Sequence, residues 1–231
     1  MINFEKVLVR DGARTLVDID FSFQDSMAIV GESGSGKSLT LKAIMGILPK
    51  ELSSEVKISG VETLKRGENI AFAPQNPFTA LSPMSKIKKQ FWGVDKQKAE
   101  LLLKQTGLDA SCLDRFPSEL SGGQLQRVII ALSLSQNPKV LLMDEPTTAL
   151  DSETKSEIIK LIKELRETLG FYLIFVTHEI FLAKELCSEI MVIKEGKKIE
   201  FGNSSDIFQA PKEEYTKQLL AADFSARAFR R

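Results

Sequence analysis

The stretch that decides the fold is "MAIVGESGSGKSLTLKAIMGIL", which runs from Met27 to Leu48. Its first four residues, Met27–Val30, form a short apolar run that predicts a buried strand. A glycine-rich loop follows at Gly31–Ser38, and Lys37–Leu48 is predicted to be a helix that stops at Pro49. A strand, a glycine loop and a helix in this order are the context in which a G-x-x-x-x-G-K-S loop binds nucleotide phosphate.

The residues of this loop suit a triphosphate. Gly34 and Gly36 permit close approach, and the backbone N–H groups of the loop and helix start are expected to point at the phosphates. Lys37 is expected to reach the β- and γ-phosphates, and the Ser38 hydroxyl to ligate Mg²⁺. The predicted nucleotide contacts are Gly31, Glu32, Ser33, Gly34, Ser35, Gly36, Lys37, Ser38 and Leu39. A plain strand–turn–helix loop is the alternative, and kinases and GTPases share the motif.

Composition places the chain among ordinary globular proteins. It has 231 residues, enough for one large domain or one domain with a small insertion. Its 31 basic residues balance its 31 acidic ones, so the charge gives no support to nucleic-acid binding. The start shows no secretory pattern, and no apolar run approaches the roughly 20 residues that span a bilayer. Cys112 and Cys187 lack metal spacing and are expected to be reduced thiols in a cytosolic protein.

Strand and helix patterns alternate along most of the chain, which indicates an α/β fold with a mostly parallel sheet. The region up to Phe23 is predicted to hold short strands and turns, and about Pro77 to Leu120 a small helical insertion. At Asn69–Phe78 a strand is predicted to run into a proline-flanked loop. Further strands are predicted at Lys139–Pro146 and Tyr172–Glu179, and further helices at Asp95–Leu108 and Ser152–Gly170.

Polar residues end two of the apolar strands. In "VLLMDEP" the strand delivers Asp144 and Glu145 to its carboxyl end, where open α/β sheets bind ligands. Asp144 is expected to hold Mg²⁺ through water, and Glu145 to polarise the attacking water as general base. The alternative is an acidic strand end at the surface. His178, the chain's only histidine, follows another apolar strand; it is predicted to contact the γ-phosphate, against the alternative of a structural histidine.

A second glycine pair opens the helix in "ELSGGQLQRVIIAL", Glu119 to Leu132. The apolar periodicity predicts a helix from Gln124 onward, with Gly122 and Gly123 directly at its start. A helix start without side chains is an anion site, and the Ser121 hydroxyl can add a hydrogen bond. Because Gly31–Ser38 already holds one nucleotide, this site is predicted to serve a nucleotide on another subunit. A twofold dimer would then enclose two ATP molecules.

Five motifs together resemble the ATP-binding cassette (ABC) ATPases over about Met1 to Ala222. They are "GESGSGKS", Gln75 in "APQNP", "LSGGQLQR", "LLMDEPTTALD" and "VTHE". The resemblance implies a P-loop NTPase (RecA-like) core at 1–76 and 121–210, a β-subdomain, a short helical subdomain at 77–120 and a tail at 211–231.

The resemblance also implies residue roles. Lys37, Gln75, Glu145 and His178 would be catalytic, and Gln75 would join Ser38 and Asp144 around Mg²⁺ and sense the transmembrane partner. The signature residues Leu120, Ser121, Gly122, Gly123 and Gln124 would contact ATP in trans. Ala149, Leu150 and Asp151, in the "TALD" that begins at Thr148, would form the D-loop that crosses the dimer interface.

Within the family, the chain is similar to importers of the peptide/opine/nickel uptake group. Gln75–Gln90 and Ile207–Ala222 carry the similarity, although Glu213 and Glu214 replace the group's usual His-Pro. The absence of a longer cysteine-containing extension favours a nickel or metal-chelate member over a peptide one. The implied partners are permease subunits, a second ABC ATPase as homo- or heterodimer, and an extracytoplasmic substrate-binding protein. The implied location is peripheral, at the cytoplasmic face of the inner membrane.

Two features depart from the family pattern. No aromatic residue stands near Arg10 and Asp11 to stack on adenine; Arg10 either stacks its guanidinium plane there or is a solvated turn residue. The helical insertion is also shorter than usual. A soluble ABC ATPase that acts on DNA or ribosomes is a second hypothesis, but long coiled-coil or zinc insertions are missing. A non-catalytic regulator would lack Glu145 or His178.

Overall fold

The computed structural model describes residues 1–60, 64–65, 68–148 and 150–228. The chain divides into two compact units, Met1–Leu64 with Tyr172–Arg231, and Lys65–Phe171. Both units mix strands and helices, as the α/β prediction requires. The finer division into core, helical subdomain and tail stays a prediction.

The strands are β1 (Ile2–Asp11), β2 (Arg14–Phe23), β3 (Ser26–Val30), β4 (Leu52–Ser59), β5 (Ile70–Ala73), β6 (Val140–Asp144), β7 (Tyr172–Thr177), β8 (Glu189–Lys194) and β9 (Lys197–Asn203). The helices are α1 (Lys37–Met45), α2 (Pro77–Ala80), α3 (Ile87–Gln90), α4 (Lys96–Gln105), α5 (Gly122–Leu134), α6 (Ser152–Leu169), α7 (Ile180–Leu186), α8 (Ser204–Gln209) and α9 (Glu214–Ala228). Two short 3-10 helices lie at Ala110–Asp114 and Pro117–Glu119.

In the sheet of the first unit β3 pairs in parallel with β7 and β8, and β2 pairs in parallel with β9 at Asp18 and Lys197. In contrast, β1 pairs antiparallel with β2 and β4, and β8 pairs antiparallel with β9. The prediction of short strands before Phe23 was wrong, because β1 and β2 are ten residues each. A tight turn at Gly12, with φ of 52°, joins them and forces the antiparallel direction.

All five residues of β3 are buried, which suits a central strand covered on both faces. The glycine loop leaves its carboxyl end, and α1 begins at Lys37. Gly46 ends this helix in a left-handed conformation, with φ of 66° and its N–H bonded to the carbonyl of Ala43. The helix therefore stops before the predicted Leu48, because a glycine cap acts ahead of Pro49.

In the second unit β5 and β6 pair in parallel, with Ala73 opposite Met143. Residues 77–120, all described, hold α2, α3, α4 and the two 3-10 helices, and α4 packs on α5. α5 begins at Gly122 rather than Gln124, because the Ser121 side chain caps it at that point. Within the described part of the chain, every helix falls short of the length and apolarity that a bilayer crossing needs.

Candidate functional site

The first unit holds the glycine loop, and its backbone requires glycine at three places. A Cβ on Gly31 would stand 2.3 Å from the carbonyl oxygen of Ile193 in β8. Gly34 and Gly36 have φ values of 81° and 105°, a region that side chains disfavour. A Cβ on Gly34 would have no atom of the described residues within 4 Å, so this part of the loop is open on its outer side.

Lys37 and Ser35 show what the loop can hold. The Lys37 side chain is 4% exposed, and its Nζ donates to the carbonyl oxygens of Gly31 and Glu32 at 2.8 Å each. The buried Ser35 Oγ finds no hydrogen-bond partner among the described residues. Buried hydroxyls are normally satisfied, so an orphan in a cationic loop indicates an acceptor-rich ligand. The loop therefore fits a phosphate chain.

His178 lies beside this loop in the same unit. Val30, the last residue of β3, pairs with Thr177, the last residue of β7. Since the two strands are parallel, the glycine loop and His178 leave the sheet at one edge. His178 is exposed there. Arg10 is exposed in β1, opposite Thr15 and Ser53, a setting that suits a solvated residue and a stacking one alike.

The second unit brings Gln75 to the acidic pair. The buried β6 ends in Asp144, which is 4% exposed. Glu145 follows in a left-handed conformation with φ of 43°. Its Oε2 accepts hydrogen bonds from Thr148 Oγ1 at 2.9 Å and from Gln75 Nε2 at 3.4 Å. Non-glycine residues in this backbone region cost about 1–3 kcal/mol and cluster at active sites. The strained, oriented carboxylate is therefore a catalytic candidate.

For the glycine pair of the signature segment, the structure shows a packing constraint that the sequence-based explanation does not include. A Cβ on Gly123 would stand 2.7 Å from Thr154 Cγ2 in α6, whereas one on Gly122 would come within 4 Å of a single atom of the described residues, Leu150 Cδ2 at 3.7 Å. Packing inside the chain thus already favours glycine at position 123, whereas the described neighbours of Gly122 leave space for a side chain. Ser121 Oγ accepts from Gln124 N at 3.3 Å.

The described part of the D-loop lies next to the signature segment; Ala149 is outside the described residues. Asp151 caps α6, where its Oδ1 accepts from Thr154 N at 3.0 Å and its Oδ2 from Thr154 Oγ1 at 2.7 Å. These bonds from Thr154 hold the pKa of Asp151 below its usual value. A cavity of about 340 Å³ lies between the two segments, lined by Ser121, Gly122, Gly123, Gln124, Arg127, Leu150, Asp151, Thr154 and Glu157.

Two contacts at these sites were missed from the sequence. Thr148 donates a hydrogen bond to Glu145, and its place in the "TALD" segment does not by itself indicate this contact. The Tyr215 hydroxyl accepts from the backbone N–H of Glu32 in the glycine loop at 3.2 Å. The sequence offers no local signal for the second contact, since 183 positions separate the two residues.

Comparison with known proteins points to one family. A family model described as "ABC transporter" matches residues 16–148. The dipeptide transport ATP-binding protein DppD of Escherichia coli K12 is 35% identical over 96% of this chain and 78% of its own length. The oligopeptide transport ATP-binding protein OppD of Bacillus subtilis is 35% identical over 86% of the chain. The chain spans 63% of that relative, and 45% of a 34% identical peptidoglycan transport ATP-binding protein, YejF of Agrobacterium fabrum.

Comparison with solved structures points to the same family. cbiO1 from Clostridium perfringens, part of the ABC transporter complex cbiONQ, has a TM-score of 0.77 and 28% identity, with 90% of each chain covered. The MJ0796 cassette, a dimer bound to ADP and Pi, has a TM-score of 0.73 and 26% identity over 88% of this chain and 99% of its own. These similarities confirm the predicted fold class.

Proposed function

Because the chain belongs to the ABC transporter family, we propose that it is the subunit that binds and hydrolyses ATP in an importer. The observation that carries the proposal is the glycine loop of residues 31–38. Its left-handed glycines, the orphan Ser35 hydroxyl and the Lys37 ammonium held between two carbonyls form a cradle for phosphate oxygens.

Glu145 is the proposed general base. Thr148 and Gln75 donate hydrogen bonds to its Oε2, and these bonds orient the carboxylate that would accept a proton from water. The Mg²⁺ ligands proposed from the sequence are Ser38 in the first unit, and Asp144 and Gln75 in the second. When bound, Mg²⁺ would neutralise phosphate charge. His178, exposed at the loop's edge of the first unit, is proposed to contact the γ-phosphate.

The working form is proposed to be a dimer in which the γ-phosphate joins two chains. The glycine loop of one chain would hold ATP, and the open helix start at Ser121 and Gly122 of the other would bind the same γ-phosphate. The D-loop residues Leu150 and Asp151 line the cavity beside that helix start. The dimeric MJ0796 cassette with ADP and Pi offers a precedent for such pairing. Hydrolysis would remove the bridging charge and let the dimer reopen.

A membrane permease is the proposed partner of the segment 77–92. Phe78, Met84 and Trp92 in this segment are 58%, 86% and 92% exposed. Large apolar side chains that are this exposed within one short segment suggest a protein contact. Closing and opening of the dimer would move this segment against cytoplasmic loops of the permease. Co-purification with a polytopic membrane protein, rather than with nucleic acid, would separate this proposal from a soluble ABC ATPase.

Small peptides are the cargo class that the relatives favour, because two of them are named for oligopeptide and dipeptide transport. Uptake of nickel or a metal chelate stays a prediction from the resemblance to the uptake group. In either case the cargo would be recognised by a separate extracytoplasmic binding protein, not by this chain. The ligand of that binding protein would decide between peptide and metal chelate.

The direct test is nucleotide binding and phosphate release by the purified chain. Lys37→Ala removes the buried ammonium of the loop and should weaken MgATP binding by at least tenfold. Lys42→Ala is the matched control, since Lys42 lies in the same helix beyond the loop. Equal affinity of both variants for MgATP would refute the phosphate-cradle proposal.

A further inference from the structure

A buried carboxylate fixes the start of α9. Glu200 in β9 is 8% exposed, and its carboxylate oxygens accept from Lys212 N at 2.9 Å and Glu213 N at 3.2 Å. Burial alone would raise the pKa of Glu200, but the backbone N–H groups, the Thr216 side chain and the positive charge of Lys212 together outweigh it, so the pKa lies below its usual value. The carboxylate is therefore ionised at neutral pH, and it anchors the residues just before Glu214 on the sheet of the first unit.

Tyr215, the second residue of α9, reaches the glycine loop from this anchor. Its hydroxyl oxygen accepts a hydrogen bond from the backbone N–H of Glu32 at 3.2 Å. The Lys194 ammonium lies 4.6 Å from the centroid of its ring, and the residue is only 9% exposed. Contacts at the hydroxyl and on the ring therefore restrict the orientation of this side chain.

The N–H that Tyr215 binds belongs to the same peptide unit as the Gly31 carbonyl. That carbonyl oxygen accepts from Lys37 Nζ at 2.8 Å. Because a peptide unit is planar and rigid, fixing its N–H also fixes the direction of its C=O. Tyr215 on one side and Lys37 on the other thus bind opposite ends of one peptide plane.

The far end of the loop has an anchor of its own. Gly196, in the turn between β8 and β9, donates its N–H to the Ser35 carbonyl at 2.9 Å. A Cβ on Gly196 would stand 1.9 Å from the carbonyl oxygen of Leu16, so this turn is fixed against β2. Ser35 is held there, and α9 adds a separate anchor at the Glu32 end of the loop.

We propose that Tyr215 is a positioning residue for nucleotide binding, which orients the Gly31–Glu32 peptide and through it the Lys37 ammonium. The proposal rests on the proposed function as an ATP-binding subunit. It assigns to α9 a direct part in the affinity for ATP. Tyr215 itself touches no reacting atom in this scheme.

The test is Tyr215→Phe in the full chain, which keeps the ring under Lys194 and deletes only the hydroxyl. Tyr172→Phe is the matched control, because Tyr172 is the chain's other tyrosine and its ring packs edge-on against Phe23. We expect the dissociation constant for MgATP to rise about 3- to 10-fold in Tyr215→Phe, the scale of one lost neutral hydrogen bond, with kcat at saturating ATP within about twofold. The control should match the parent protein.

Hydrogen exchange of the nucleotide-free protein supplies a readout that needs no ATP. The amide of Glu32 should exchange faster in Tyr215→Phe than in the parent or the control. Unchanged exchange and unchanged affinity would overturn the proposal, as would a fall in kcat with unchanged KM. If exchange speeds up but the parent protein binds no MgATP, the proposed function fails, and the role of Tyr215 in nucleotide binding fails with it.

Discussion

The two signature glycines should respond differently to replacement by alanine. Gly123→Ala should lower the stability of the protein, whereas Gly122→Ala should lower its ATP turnover. In Gly123→Ala the new methyl group would lie 2.7 Å from Thr154 Cγ2. Rotating Thr154 away would break its 2.7 Å hydrogen bond to Asp151 Oδ2. An overlap near 1 Å belongs to the upper part of the overpacking range, about 2–3 kcal/mol. Alanine recovers up to about 1 kcal/mol through its helix propensity.

The free energy of unfolding of Gly123→Ala should therefore fall by about 1–2 kcal/mol, a Tm decrease of about 2–8 °C for a chain of this size. Thr154→Ser removes the clashing methyl group and keeps the hydroxyl that binds Asp151. Thermal unfolding of the parent, both single variants and the double variant completes the cycle. If Gly123→Ala costs the same in both backgrounds, within about 0.5 kcal/mol, then the Thr154 methyl is not the cause.

Gly122→Ala is the functional counterpart. Among the described residues its Cβ would make one ordinary contact, with Leu150 Cδ2 at 3.7 Å, so Tm should stay the same or rise. The methyl group would nevertheless stand on the helix start that faces the γ-phosphate of the partner chain. We expect ATP turnover to fall at least tenfold. Full activity in a folded Gly122→Ala protein would refute the phosphate-facing role of this glycine.

Two further predictions concern carboxylates. Glu145→Gln should retain MgATP binding but lose about 10²- to 10⁴-fold in turnover, because the general base is gone; hydrolysis at the parent rate would contradict that assignment. Glu200→Gln should lower the free energy of unfolding at pH 7 by about 1 kcal/mol. The depressed pKa of Glu200 means that its stabilisation is present above the ordinary value of 4.5 and is lost as pH falls through the folded pKa. Tm values of parent and variant should converge in acid; a constant difference between them would refute this account.

The sequence predicts the fold best where the signal is local. Buried runs such as β3, β6 and β7 stand out as apolar segments with glycine or proline close to one or both ends. By contrast, β4 has the polar sequence "LSSEVKIS", and its strand conformation comes from pairing along the whole of β1. The start of α9 is set by Glu200, which lies 14 positions before Glu214 in the sequence, so the helix was predicted only as part of a tail.

The residues of the candidate site also fall into those with a local sequence signal and those that only the fold brings together. The motif residues of the glycine loop and the acidic pair were predicted from spacing alone, and the strand pairing brings His178 to the loop and Gln75 to Glu145. The explanation of Gly123 was incomplete, because its close neighbour, Thr154, lies on another helix. Tyr215 was missed because it is distant in sequence from the loop that it contacts.

The most direct measurement is the molar mass of Glu145→Gln protein with saturating MgATP, by light scattering on a size-exclusion column. We expect a molar mass of twice the 25.7 kDa of one chain, or a stable pair with a second cassette when companion subunits are supplied. ADP in place of ATP should return the chain to monomer. A hydrolysis-blocked, ATP-loaded protein that stays monomeric even with its companion subunits would contradict the claim that the γ-phosphate joins two chains.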